Sequence, residues 1–278
     1  MAFLSIIFSC PDSLYENIIA ELSDSEVDSY FETESLIAYI LKDNWNDNLK
    51  ANLDALSIKY SMTYEIEELE DTNWNAVWES NFKPVSIDSF CHIRASFHPK
   101  ETGYIHEIEI SPKMAFGTGH HETTSMMIRQ MSNLDFSQKT ILDYGCGTGI
   151  LSVLADKMGA SVVDAIDIDK NSIDNAKEHV EINAVSNVKI TQGDLDALDR
   201  ASYDIILANI NRTVLINQAT KLFDLLKDNG QVLMSGILES DRFLIEEKYL
   251  DAGFKVTAVH QDGDWLCFNI LKLVHNPS

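Results

Sequence analysis

The chain has 278 residues, 45% of them hydrophobic, and a formal net charge of −23; that is length for one large or two unequal domains with real cores, and it excludes a disordered or fibrous chain. So acidic a balance repels phosphate backbones, so direct nucleic-acid binding is not expected. The four cysteines, Cys10, Cys91, Cys146 and Cys267, form no CxxC pair, which argues against a zinc site or a disulfide framework, and no apolar run approaches the roughly 20 residues that span a bilayer.

The apolar start at 2–8 precedes the first basic residue, Lys42. A secretory signal needs a positive n-region, so this run reads as a buried strand and the location as cytoplasmic. Residues 3–9 predict that strand, and after Pro11 a helix opens near Asp12 or Ser13. Leu14, Ile18, Ile19 and Leu22 recur in it at helical spacing. A second strand at 28–34, an apolar stretch at 36–41, a helix through Leu49, Leu53 and Leu56, and an alternating strand at 59–67 follow. Together they predict a small α+β domain over 1–66. A connecting helix is expected over 67–80, with Trp74, Val77 and Trp78 at helical spacing. Residues 1–80 hold 17 Asp and Glu against Lys42, Lys50 and Lys59, a net of −14. That excess reads either as solubility or as a docking module for a basic protein.

From residue 81 to 278 a larger domain is expected. Residues 90–97 and 105–110 alternate like paired strands. After residue 138 strands alternate with helices: strands at 140–143, 162–167, 188–192, 203–209 and 231–235, with helices at 151–158, 172–183, 215–226 and 242–252. Strands at 255–260 and 265–273 close the chain, joined only by the turn at 261–264. Alternation of this kind predicts an α/β fold, a seven-stranded, mostly parallel, doubly wound sheet. The last two strands form an antiparallel hairpin at its end. This layout resembles the Rossmann-like methyltransferases that use S-adenosylmethionine (SAM).

The strongest local signal is the strand–turn–helix at 141–150, with the turn Gly145-Cys146-Gly147-Thr148-Gly149. Glycines let the backbone approach a ligand, and a helix N-terminus offers N–H groups to an anion, a carboxylate in SAM or a pyrophosphate in NAD. By itself the turn could be no more than a tight βα connection. Asp167, at the end of the next strand, is spaced to accept both ribose hydroxyls, and Asp194, after the third, is placed near an adenine. Each alone could be a helix cap; three consecutive strand ends of one sheet favour a cofactor site. A GxGxG turn preceded by Asp143 suits an ammonium-bearing ligand better than a dinucleotide, so Asp143 is a candidate for the SAM amino group, directly or through water. Asn209, ending the fourth strand, is the catalytic candidate: its amide oxygen can accept from an attacking amine and orient the lone pair. The plain alternative is an Asn that caps the turn. Upstream, Gly117 and Gly119 flank Thr118 in a flexible loop, Phe116 is a second catalytic candidate whose ring can face a cation, and Thr123 or Thr124 can cap the next helix. His120 and His121 are neighbours that point apart without a spaced carboxylate, so no metal is expected.

At this point the chain resembles the ribosomal protein L11 methyltransferases (PrmA type), through residues 74–85 (WNAVWESNFKPV), 110–124 (ISPKMAFGTGHHETT), 140–150 (TILDYGCGTGI), 165–169 (AIDID), 207–210 (LANI) and 235–238 (SGIL). The resemblance implies SAM contacts at Thr124, Gly145, Asp167 and Asn209, and a loop at 116–119 closing over the cofactor. It implies methylation of lysine side chains and the N-terminal amine of one basic ribosomal protein, docked on the acidic N-terminal domain. Two departures stand out: HHETT at 120–124 where the family reads THPTT, and NINR at 209–212 where it reads NILA. The alternatives are a SAM-dependent enzyme for another protein or a small molecule, and a non-catalytic SAM-binding module.

Overall fold

The computed structural model describes residues 3–22, 27, 29–32, 35–69, 83–111, 121–198 and 202–273. The helix expected around Trp74, Val77 and Trp78 lies outside them. The chain divides into two compact units, Met1–Phe82 and Lys83–Ser278. No described helix is long and apolar enough to cross a membrane.

The small unit runs β1 (Phe3–Ser9), α1 (Tyr15–Glu21, entered by one 3-10 turn), β2 (Ser29–Glu32), β3 (Leu36–Leu41), α2 (Asp47–Tyr60) and β4 (Thr63–Leu69). Its strands pair antiparallel in the order β2-β3-β1-β4. Period-two alternation puts Leu4, Ile6 and Phe8 beside Leu36, Ala38 and Ile40 on one face. Ile18 and Leu22 of α1 and Leu49, Leu53 and Leu56 of α2 join the same core. Helix α2 starts where the Asn46 side chain accepts from Leu49 N at 3.0 Å. It stops at Ser61, whose φ of 51° turns the chain back. Two boundaries therefore differ from the sequence reading. Residues 59 and 60 complete the helix, and residues 68 and 69, assigned to the connecting helix, extend β4 because Phe3 of β1 still faces Leu69.

The large unit opens with β5 (Val85–Ile87), β6 (Cys91–Ala95) and β7 (His106–Ile110), where β6 pairs antiparallel with β5 and parallel with β7. Strand β5 was not read from the sequence, because three residues are too few to show a period. Then come α3 (Glu122–Met131), β8 (Thr140–Tyr144), α4 (Ile150–Lys157), β9 (Val162–Asp167), α5 (Lys170–Ile182), β10 (Val188–Gln192), β11 (Tyr203–Asn209), α6 (Arg212–Leu225), β12 (Leu226–Leu238), α7 (Arg242–Asp251), β13 (Phe254–Asp262) and β14 (Trp265–Lys272). They build the expected seven-stranded sheet in the order β10-β9-β8-β11-β12-β14-β13. Every neighbouring pair is parallel except the two made by β14.

The last two strands form the expected hairpin at the end of the sheet, with the antiparallel strand β14 not outermost. Strand β14 inserts between β12 and β13, and β13 is the edge. Burial explains the choice, since Leu266, Cys267, Phe268 and Ile270 of β14 are all buried while β13 is half-exposed along most of its length. Strand order reverses between β8 and β11, and a crevice opens there beyond the carboxyl ends of the strands.

Candidate cofactor and active site

The turn after β8 is held from its neighbour strand. Gly145 N and Cys146 N both donate to the Ile166 carbonyl, at 2.8 and 3.0 Å. Gly147 N donates to Asp167 Oδ2 at 2.9 Å, and the other carboxylate oxygen accepts from Asp169 N at 2.9 Å. Each oxygen of Asp167 keeps a lone pair for a ligand. Asp169 in turn caps α5, accepting from Ser172 N at 2.8 Å. At the end of β10, Asp194 Oδ1 accepts from the Tyr144 hydroxyl at 2.8 Å and from Leu195 N at 2.7 Å. Burial, then the bond to Asp194, pushes the Tyr144 phenol well above its usual range, so it stays a donor.

At the end of β11, Asn209 Nδ2 donates to Thr124 Oγ1 at 3.1 Å. That bond uses one of the two amide N–H donors and leaves Oδ1 as an acceptor. Ile210, the next residue, is clasped by two glycines. A Cβ on Gly145 would lie 2.2 Å from Ile210 Cγ2, and one on Gly236 would lie 2.3 Å from the Ile210 carbonyl oxygen. Gly145 and Gly236 also hold φ of 70° and 85°, which side chains rarely adopt. Gly236 sits where the β12–β14 register shifts, between Met234 and Ile237. A Gly236→Ala change meets backbone, which cannot swing away. It should lower stability by about 2 kcal/mol or more, from overpacking plus a left-handed alanine, read as the urea midpoint. An unchanged midpoint would show that Ile210 is not clasped.

These strand ends enclose one cavity of about 550 Å³, within the usual range for small-molecule sites. Its walls include Gly145, Gly147, Asp167, Gly193, Asp194 and Asn209, and also His121, Thr123, Gly236 and Trp265. Of the predicted residues, Gly145, Gly147, Asp167, Asp194 and Asn209 thus converge. Thr124 is 1% exposed, off the wall, and acts on Asn209. Phe116, Thr118 and Gly119 lie outside the described residues. His121 caps α3, its Nδ1 accepting from Thr123 N at 3.3 Å, and its ring meets Trp265 edge-on with centroids 5.0 Å apart. Trp265, Tyr144 and Gly236 were not singled out from sequence. Tyr144 and Gly236 each had a signal, as members of the motifs at 140–150 and 235–238, and Trp265 had none.

Asp143 stands apart from the wall. It is 1% exposed, and Ser152 Oγ donates to its Oδ2 at 2.6 Å beneath the turn. Any link to a ligand amine would run through space or through water. Burial raises its carboxyl from 3.8 to about 7, with the Asp167 charge adding to the rise. Below about pH 4 the group is protonated folded or unfolded and costs nothing. Between pH 4 and 7 the unfolded chain releases the proton that the fold retains, so stability falls; above 7 the penalty is complete, on the order of 4 kcal/mol at most. Asp143→Asn should therefore flatten the decline of the ligand-free protein's unfolding midpoint between pH 4 and 7. A variant that keeps the wild-type slope would remove Asp143 as its source.

The family model described as ribosomal protein L11 methyltransferase (PrmA) matches residues 5–272. A protein of that name from Porphyromonas gingivalis is 36% identical over 262 residues, covering 91% of this chain and 89% of its own. Its counterpart from Phocaeicola vulgatus is 34% identical over 275 residues, covering 95% and 97%. The crystal structure of a ribosomal protein L11 methylase from Lactobacillus delbrueckii subsp. bulgaricus superposes with a TM-score of 0.64 at 26% identity, over 69% of this chain and all of that one. With a family model spanning nearly its whole length and relatives above 30% identity, the chain belongs to the ribosomal protein L11 methyltransferase family.

Proposed function

We propose that this chain transfers methyl groups from SAM to amino groups of ribosomal protein L11, the ε-amines of lysines and the N-terminal amine. One observation carries the chemistry: Asn209 lines the cavity and its amide nitrogen donates to Thr124, so its oxygen is the acceptor we assign to the incoming amine. An acceptor at that place suits a nucleophile that brings an N–H.

SAM is the cofactor, and the donor set fits it. Asp167 has lone pairs left for the two hydroxyls of a ribose, the glycine turn offers close backbone, and Asp194 with Tyr144 borders the space for a base. Asp143 lies near enough to the turn for a cationic amine to favour its ionised form. When bound, SAM would supply a methyl carried on a sulfonium, which passes to a neutral amine as S-adenosylhomocysteine leaves as the thioether.

The chain's own residues do the rest. Asn209 Oδ1 accepts an N–H of the incoming amine and fixes where its lone pair points. Trp265 and the His121 ring exclude water beside that position, and removal from water favours the uncharged amine over the ammonium. A free lysine has a pKa near 10.4, so its proton passes to water as the side chain enters. The net −14 over residues 1–80 suits a docking surface for a basic protein and speeds its encounter.

The test is incubation with methyl-labelled SAM and the separated proteins of the large ribosomal subunit. Label on L11 alone is expected. Label on none of them, with SAM bound by calorimetry, would overturn the substrate.

A further inference from the structure

Resting on the reading of the glycine turn as the cofactor's cradle, we propose that His179 is a positioning residue that ties this turn to the end of β7 through one neutral imidazole ring. His179 lies on α5 and is 1% exposed. Its Nδ1 is 2.7 Å from the Thr148 carbonyl oxygen, inside the turn. A carbonyl only accepts, so Nδ1 carries the hydrogen. Its Nε2 is 3.0 Å from Ser111 N, just past β7. An amide N–H only donates, so Nε2 carries the lone pair. Both contacts select the same neutral tautomer. The Ser111 carbonyl oxygen, 3.2 Å from Nε2, is then a neighbour rather than an acceptor.

A buried imidazole is costly unless both nitrogens are paired, and an apolar side chain would fill a helix–strand contact more simply. One turn along α5, Asn183 already fastens β7 at Glu109, donating to its carbonyl at 2.6 Å and accepting from its N–H at 2.9 Å. Attachment of β7 therefore does not require His179. What His179 adds is the link to Thr148. From Ser111 the chain leads on to Thr124, which holds Asn209. One ring thus joins the cofactor turn to the end of β7.

Two amides divide the ring's two contacts. His179→Asn places a donor near Nδ1 but does not reach Ser111. His179→Gln reaches the Nε2 position with its oxygen but loses the bond from Nδ1 to the Thr148 carbonyl. The Gln variant should raise the SAM Kd about tenfold by calorimetry. The Asn variant should keep that Kd within about threefold and lower kcat with the protein acceptor about tenfold. Asn183→Ala, a control for attachment alone, should lower the unfolding midpoint and leave the SAM Kd unchanged. If both His179 variants shift only the unfolding midpoint, the proposal is wrong. Nitrogen-15 shifts of the wild-type imidazole give a reading that needs no variant: a hydrogen on Nε2 at neutral pH would also overturn it. Failure of the wild-type enzyme to bind SAM would count against the cofactor reading and not against the His179 contacts.

Discussion

Asn209→Ala is expected to lower turnover about a hundredfold while the SAM Kd stays within about threefold. The magnitude follows from what orientation of a nucleophile is worth, since a misplacement of about 1 Å can cost on the order of a hundredfold. The split follows from the geometry. Asn209 Nδ2 donates to Thr124 at 3.1 Å, and on the function proposed above alanine removes the acceptor of the amine. The Asp167 carboxylate and the turn remain. Asn209→Asp would test polarity: two acceptor oxygens and no donor cost the Thr124 bond unless the threonine hydroxyl turns to donate. Steady-state kinetics with the protein acceptor, beside calorimetry with SAM, reads both quantities. Normal turnover in Asn209→Ala would remove this residue from the reaction.

Asp167→Ala is expected to raise the SAM Kd at least a hundredfold, about 3 kcal/mol. Two losses add. The carboxylate accepts from Gly147 N and Asp169 N, both at 2.9 Å, and hydrogen bonds to a charged acceptor contribute about 1.5–3 kcal/mol each. Without them the turn and the first residues of α5 lose their common anchor, and the ribose hydroxyls lose their acceptor as well. Asp167→Asn should fall between wild type and alanine, because one amide oxygen can keep one of these bonds. Calorimetry checks the order, and equal Kd values for all three proteins would contradict it.

What the sequence shows of this site is the part made by strand ends. Gly145, Asp167, Asp194 and Asn209 each follow or close a strand of alternating or apolar residues, and a doubly wound sheet must bring such ends together. Asp143 shows the limit of that rule. It lies one residue inside β8, and alternation sends Leu142 and Tyr144 to one face and Asp143 to the other, under Ser152 of α4. Spacing in the sequence could not separate wall from floor. Thr124 was read as a cofactor contact, whereas its hydroxyl is turned to Asn209; a motif gives proximity, not direction. Trp265 was invisible for a topological reason. It reaches the cavity because β14 inserts beside β12, placing Trp265 opposite Leu238, and local patterning does not encode where a hairpin docks. In the small unit, α2 and β4 were each legible, but their border was set by Ser61 alone, whose left-handed backbone has no strong sequence signal.

On the function proposed above, the acceptor oxygen of Asn209 is what selects amines. Mass spectrometry of ribosomal protein L11 after reaction with SAM tests it most directly, by locating the added methyl groups atom by atom. The expected result is methylation confined to lysine ε-nitrogens and the N-terminal nitrogen, and lost with Asn209→Ala. Methyl groups on oxygen, sulfur or ring atoms of L11, or unchanged amine methylation by the Asn209→Ala protein, would contradict it.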